Sequence, residues 1–205
     1  MSLLDDFSDK EIEEENKLSD RADKKSTKRI DHVLQTYDKF LVNKNAYIDH
    51  LYSKTLFDLS SENPTENEIN ELISNIYYNK NKVDYTGFFI TALIQNAYNH
   101  GQNNIKIDLK CFKRNIGYIG TNLHGKKHNI LKLEINGEIS KCAARCTDFV
   151  DIIFNDSVGP YSCNYIKRSR LTFKKDLGFT SCQNVLESNL YFYGKIGSET
   201  GKSSI

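Results

Sequence analysis

The sequence predicts an α+β chain in which a helical segment precedes a parallel β-solenoid with coils of nineteen residues. Three observations carry that expectation. Apolar residues recur at helical spacing between Lys28 and His100, the pattern changes to strand-like alternation after Gly101, and the second half repeats itself every nineteen residues without an insertion. A chain of 205 residues is long enough to bury a core of its own, and 39% hydrophobic with 27% charged residues is a globular composition. No run of about 18 apolar residues exists, so a membrane span is not expected. Twenty-eight Lys and Arg against 27 Asp and Glu leave a net charge of +1, without the basic excess that phosphate backbones select, so nucleic acid is not expected as a partner.

Residues 1–25 hold nine acids against five bases with no sustained period, which predicts an acidic disordered tail. The opening Met1-Ser-Leu-Leu-Asp-Asp-Phe carries acids where a secretory or mitochondrial leader carries positive charge, and the expected location is cytoplasmic. Five cysteines, Cys111, Cys142, Cys146, Cys163 and Cys182, are an odd count that suits reduced thiols better than a disulfide framework.

Between Lys28 and about Lys54, Ile30, Val33, Leu34, Tyr37, Phe40, Leu41, Ile48 and Leu51 form one face of an amphipathic helix. Asn63-Pro64 marks a loop. Thr65 and Glu68 then have the spacing of a capping box, which starts a second helix bearing Ile69, Leu72, Ile73, Ile76 and Tyr77. A third helix is expected from about Asp84 to His100, with Gly101 placed to end it in a left-handed turn. Ile105 to Leu109 alternates as a strand does.

Five columns define the repeat. They are Leu133, Ile152, Leu171, Leu190; Ile135, Phe154, Phe173, Phe192; Ile139, Val158, Leu177, Ile196; Ser140, Gly159, Gly178, Gly197; and Ala144, Cys163, Cys182, Gly201. The first three fall on one side of an extended chain, which predicts the interior of a solenoid with coils stacked about 4.8 Å apart. Stacking sets residue i beside i+19, and opposite charges meet at that step: Asp148 with Lys167, Asp151 with Arg170, Asp156 with Lys175, Arg168 with Glu187, Asp176 with Lys195. The basic run Lys167-Arg168-Ser169-Arg170 with Lys174 and Lys175 therefore reads as a paired, solvated face and not as a nucleic-acid patch.

Gly194, Gly197 and Gly201 give a Gly-x-x-Gly-x-x-x-Gly frame that earlier coils keep in part, as Gly137/Ser140/Ala144, Asp156/Gly159/Cys163 and Lys175/Gly178/Cys182. Ser169 and Ser188 stand at a further small step, and Ile116-Gly117-Tyr118 with Ile119-Gly120 mark the entrance to the first coil, with one extra residue before the regular register begins. This frame resembles the GXGXG domain, the right-handed β-helix that ends the large subunit of glutamate synthase and also occurs in formylmethanofuran dehydrogenase. The resemblance covers about half of the chain. It implies a right-handed parallel β-helix that is structural and carries no catalytic residue of its own. Glycine suits such coils where φ is positive or where backbone passes close to backbone.

Cys163 and Cys182 share a column on adjacent coils, within reach of a disulfide, and a metal site would recruit Cys142 and Cys146 from the coil before. Ala144 and Gly201 occupy the same column, so small size is the common property and packing is the favoured reading. His124 and His128 flank Gly125-Lys126-Lys127, which reads as a surface turn, and Asn99-His100-Gly101 reads as a helix end. Acids stack on bases and not on acids, unlike the gathered carboxylates of solenoid enzymes that act on polysaccharides. Gly117, Gly120 and Gly125 suit coil corners, and no phosphate-binding loop, dinucleotide fingerprint or nucleophile elbow is present.

The expected organisation is an acidic tail over 1–25, a helical segment over 26–101 that caps the N-terminal end of the solenoid, and a β-solenoid domain over 102–205, four regular coils of it from about Leu131. No catalytic, cofactor-binding or metal residue is assigned, and no cofactor. The expected role is a non-catalytic structural or interaction module; the alternative is an accessory subunit of an enzyme complex of glutamate synthase or formylmethanofuran dehydrogenase type. Its partner, a protein or a second copy, is expected at the C-terminal coil, where Leu190-Tyr-Phe-Tyr193 leaves an aromatic strand with no capping helix after it.

Overall fold

The computed structural model describes residues 27–41, 48–79, 85–113 and 116–201. Among these residues four helices, α1 (27–41), α2 (Ile48–Asp58), α3 (Glu66–Asn79) and α4 (Thr86–Asn99), precede five strands. The strands are β1 (Asn104–Asp108), β2 (Leu131–Asn136), β3 (Val150–Phe154), β4 (Arg170–Phe173) and β5 (Asn189–Phe192), paired in parallel in that order. This is the expected α+β arrangement of helices followed by a parallel β-solenoid. The acidic tail lies outside the described residues.

The helix expected from Lys28 to Lys54 is helical at both ends and runs on to Asp58, while 42–47 lie outside the described residues. The capping box forms as read: Thr65 N donates to Glu68 Oε2 at 2.8 Å and Glu68 N donates back to Thr65 Oγ1 at 3.3 Å. The third helix ends where expected, with Gly101 left-handed at φ 102° and Gly101 N donating to Tyr98 O at 2.9 Å. Helix α4 is not amphipathic in its surroundings, because Thr86 through Tyr98 are all buried. Tyr37 and Phe40 of α1 pack edge-on against Phe89, at 4.9 and 5.6 Å between ring centres, while α2 and α3 also pack on α4.

From β2 onward the register advances by nineteen: Leu133 lies beside Ile152, Ile152 beside Leu171 and Leu171 beside Leu190. Two further ladders complete each coil, one through Ile139, Val158, Leu177 and Ile196 and one through Asp148, Lys167 and Leu186. The solenoid starts one coil before Leu131. Strand β1 pairs with β2 at a step of 28, Asn104 to Lys132, and the surplus chain forms the short 3-10 turn Lys110–Phe112 and the turn closed by Lys126 and Asn129.

Each regular coil also turns through left-handed residues that are not glycine. Cys142, Ala144, Cys146 and Phe149 have φ between 47° and 55°, and their counterparts nineteen residues on, Tyr161, Cys163, Tyr165 and Arg168, lie between 45° and 61°. Left-handed backbone costs an ordinary residue about 1–2 kcal/mol, and inter-coil hydrogen bonds offset it here. Cys163 N donates back to Ala143 O at 2.6 Å, while Tyr165 N donates forward to Gln183 O at 2.8 Å. Glycine stands elsewhere in the coil. Gly159, Gly178 and Gly197 are not left-handed, but an added Cβ would lie 1.8, 2.4 and 2.5 Å from backbone atoms of the preceding coil. Of the two reasons for glycine, close approach is the one that applies in this column.

Two serine ladders fix the same register. Ser162 and Ser181 accept N–H groups from Ala143 and Ser162, and Ser169 and Ser188 accept them from Val150 and Ser169. The ion pairs follow the stacking with two changes. Asp151 pairs with Arg170, and Asp156 with Lys175 at 2.5 Å, as expected. Asp148 is bonded by Arg168, twenty residues on, while Lys167 meets it only through the backbone ladder. Asp176 accepts the backbone N–H of Lys195 at 2.9 Å, not its ammonium. Glu187 lies within electrostatic range of Arg168, as the stacking expected.

The Lys175 ammonium and the Gly137 N–H hold the Asp156 carboxyl below the usual carboxylate range, and Lys106 with Asn155 does the same to Glu134. A carboxylate with a depressed folded pKa adds stability above its unfolded value, near pH 4, and loses it as pH falls through the folded value. Denaturant titrations between pH 7 and pH 2 should therefore show stability falling below about pH 4, with a shallower fall in Asp156→Asn. An identical acid slope in that variant refutes the assignment.

Candidate functional site

The two ends of the solenoid differ. At the first coil, side chains of the helices satisfy the backbone groups that a further coil would have met. Lys106 N donates to Glu66 Oε2 at 2.7 Å, Asn70 Nδ2 donates to Lys106 O at 2.9 Å, and Asp108 N donates to Asn70 Oδ1 at 2.9 Å. Helix α3 thus closes the edge of β1. Helix α4 closes the rest of that coil: Gly120 N donates to Thr91 Oγ1 at 2.8 Å, and Gln95 both accepts from His124 N at 2.8 Å and donates to His124 O at 3.0 Å. Tyr98 OH donates to Asn129 O at 2.5 Å. Gly87 permits the contact, since a Cβ there would lie 1.9 Å from Gly117 O.

At the last coil, among the described residues, no strand pairs with the outer edge of β5. Its core columns are only half covered: Leu190 and Phe192 are half-buried, whereas Leu171 and Phe173 one coil earlier are fully buried. Leu186, Tyr191, Tyr193 and Ile196 are 44%, 45%, 68% and 50% exposed, which makes this end an apolar and aromatic surface. The aromatic strand that the sequence placed at this end is there, uncovered by any described element.

The five cysteines do not gather at one point. Cys163 and Cys182 are buried and hydrogen-bonded in the coil interior, and burial, followed by that bond, pushes the Cys163 thiol well up. Cys142 sits against Tyr118, whose hydroxyl burial likewise raises, and Cys146 is exposed on a different column. Among the described residues no three His, Cys, Asp or Glu side chains gather as metal ligands do. A buried thiol held protonated is a poor nucleophile and ligand, since both roles need the thiolate. With the protein native, Cys146 should react with a thiol reagent in seconds to minutes while Cys163 and Cys182 react only on unfolding; mass mapping of the modified cysteines checks this. Stoichiometric metal that disappears in a Cys163→Ser, Cys182→Ser variant would overturn the packing assignment.

His124 and His128 are exposed, the first in a coil ladder and the second in the turn closed by Lys126 and Asn129. His100 ends α4, its Nδ1 lying 2.9 Å from Asn96 O. Gly117 lies against Ser140, Gly120 is left-handed above Ala144, and Gly125 abuts Phe149 O, so all three serve coil corners. The entrance does not carry the single extra residue expected: His124 lies beside Asp148, a step of 24, because the turn closed by Lys126 and Asn129 takes up the surplus. Around the basic run, Lys167, Arg168, Leu186 and Glu187 line a shallow depression of about 260 Å³ whose charges are opposed. No helix among the described residues is long and apolar enough to cross a membrane.

The helical segment covers the first coil as expected, but the residues that do so were not predicted from the sequence. Glu66, Asn70, Thr91 and Gln95 look there like the polar side of ordinary helices. The available signal was the pair Thr91 and Gln95 at a four-residue step within a mainly apolar helix. Compared with known protein families, with curated proteins and with solved structures, the chain matches none.

Proposed function

We propose that the protein is a non-catalytic structural or interaction module whose contact surface is the C-terminal coil. The observation that carries this reading is the asymmetry of the ends: side chains complete the edge of the first coil, and the last coil presents an aromatic strand edge uncovered among the described residues. Such an edge is a template for strand pairing. The aspartates best placed for chemistry on the coil face, Asp148, Asp151 and Asp156, are each bonded to a base of the next coil, which suits a scaffold better than a proton-transfer site.

The GXGXG resemblance belongs to the same proposal and is supported by the nineteen-residue step and the glycine column at 159, 178 and 197. The proposed setting is the cytoplasm, where the five free cysteines stay reduced. The test is a Tyr191→Lys, Tyr193→Lys variant compared with the natural chain for solution mass and partner recovery. Association should be lost while the melting temperature stays within about 3 °C, since both side chains point outward. Unchanged association and stability would defeat the proposal.

A further inference from the structure

The last coil is chemically self-complementary about Tyr191. Asn189 N donates to Ser169 O at 2.9 Å and Tyr193 N to Phe173 O at 3.0 Å, so the odd residues of β5 turn their backbone groups toward the preceding coil. By alternation Leu190 and Phe192 turn theirs to the open side, one on each side of Tyr191. A second β5 laid antiparallel, with its Tyr191 facing this one, sets Leu190 opposite Phe192 of the second copy. That pair exchanges both N–H···O bonds, as does its symmetry mate, and all four open strand groups are satisfied.

The side chains match in the same register. Glu187 stands at the corner just before β5 and Lys195 just after its end, so the two-fold brings the acidic end of each strand to the basic end of the other. Leu186 and Ile196, about half exposed, flank the same two ends and add apolar surface there. Asn189 faces Tyr193, and the small Ser188 faces Gly194. The half-buried Leu190 and Phe192 continue the core columns into the second copy. Strand β5 itself, Asn-Leu-Tyr-Phe, has none of the lysines or prolines with which proteins guard a free edge.

We infer that two copies of this chain join end to end through their last coils, β5 pairing antiparallel with β5 across a two-fold axis at Tyr191. The contact is isologous, and helices α3 and α4 close the far end of each copy, so assembly stops at two. This inference rests on the C-terminal coil being the contact surface and adds the identity of the partner.

The test is sedimentation equilibrium of the full chain from micromolar to hundreds of micromolar, with Glu187→Lys, Lys195→Glu, the double variant and a one-to-one mixture of the single variants. The natural chain should be a dimer. Each single reversal turns two opposite-charge contacts into like-charge ones and should raise the dissociation constant about tenfold or more. The double variant, and the mixture as a heterodimer, should return to within about threefold of the natural value, because both restore opposite charges. Circular dichroism of each variant confirms folding.

A monomeric natural chain, a dimer indifferent to the single reversals, or a dimer not restored in the mixture would each overturn the inference. So would slow exchange of the Leu190 and Phe192 amides in a monomer, which would assign the edge to residues 202–205 of the same chain. The Tyr191→Lys, Tyr193→Lys variant separates this failure from that of the broader reading. A monomeric natural chain whose heterologous partner is lost in that variant ends the two-fold dimer but keeps the contact surface, whereas a dimer intact in that variant ends both.

Discussion

Replacing Phe173 by Ala is expected to destabilise the protein by about 3–5 kcal/mol, the range for a fully buried aromatic side chain. The ring lies parallel to Phe154 and Phe192, 5.2 Å from each, and is 1% exposed. Its removal opens a gap that neither neighbour fills without leaving its own coil. Phe192→Ala is the internal comparison: that ring is half-buried and has a stacking partner on one side only among the described residues, so about 1–2 kcal/mol is expected. Because each coil contacts only its neighbours, Phe173→Ala should also loosen β5 before β2, visible as earlier amide exchange in the last two coils. Denaturant midpoints of the two variants measure the difference. Equal costs, or a negligible cost at Phe173, would contradict the stacked core.

The next largest effect is expected from Gly159→Ala, at about 2–4 kcal/mol. The new Cβ would lie 1.8 Å from Ser140 O and 2.5 Å from its carbonyl carbon, at a point where Gly159 N donates to Ile139 O at 2.9 Å. Backbone atoms are the obstacle, so no side-chain rotation relieves it and the coils must separate locally. Cys163→Ala in the same coil is the control. Cys163 is already left-handed and has a Cβ, so this change removes only the sulfur and should cost about 1 kcal/mol. A Gly159→Ala variant as stable as the natural chain would show that the coils are not in contact there.

The repeat was legible because stacked coils give residues one coil apart the same surroundings, and like surroundings select like side chains at a fixed step. Phe154, Phe173 and Phe192 show this for packing, and Asp151 with Arg170 and Asp156 with Lys175 show it for charge. The start of α3 was legible for a related reason, since the Thr65–Glu68 box closes within four residues and involves no other part of the chain.

The tertiary structure alone decided what depends on elements meeting at unrelated positions. Glu66 and Asn70 bond to β1 some forty residues away, and Thr91 and Gln95 bond to a coil whose length, 28 residues and not nineteen, no column revealed. Left-handed backbone at Phe149, Arg168 and Glu187 has no signature in side-chain type, and Arg168, at such a corner, reaches Asp148 one residue off the repeat. The C-terminal edge, uncovered among the described residues, belongs to both levels. Its residues were readable as an aromatic strand, but the two-fold match of Glu187 with Lys195 exists only once the fold fixes which backbone groups face outward. Periodicity in a sequence reports environments that recur, and it is silent on contacts that occur once.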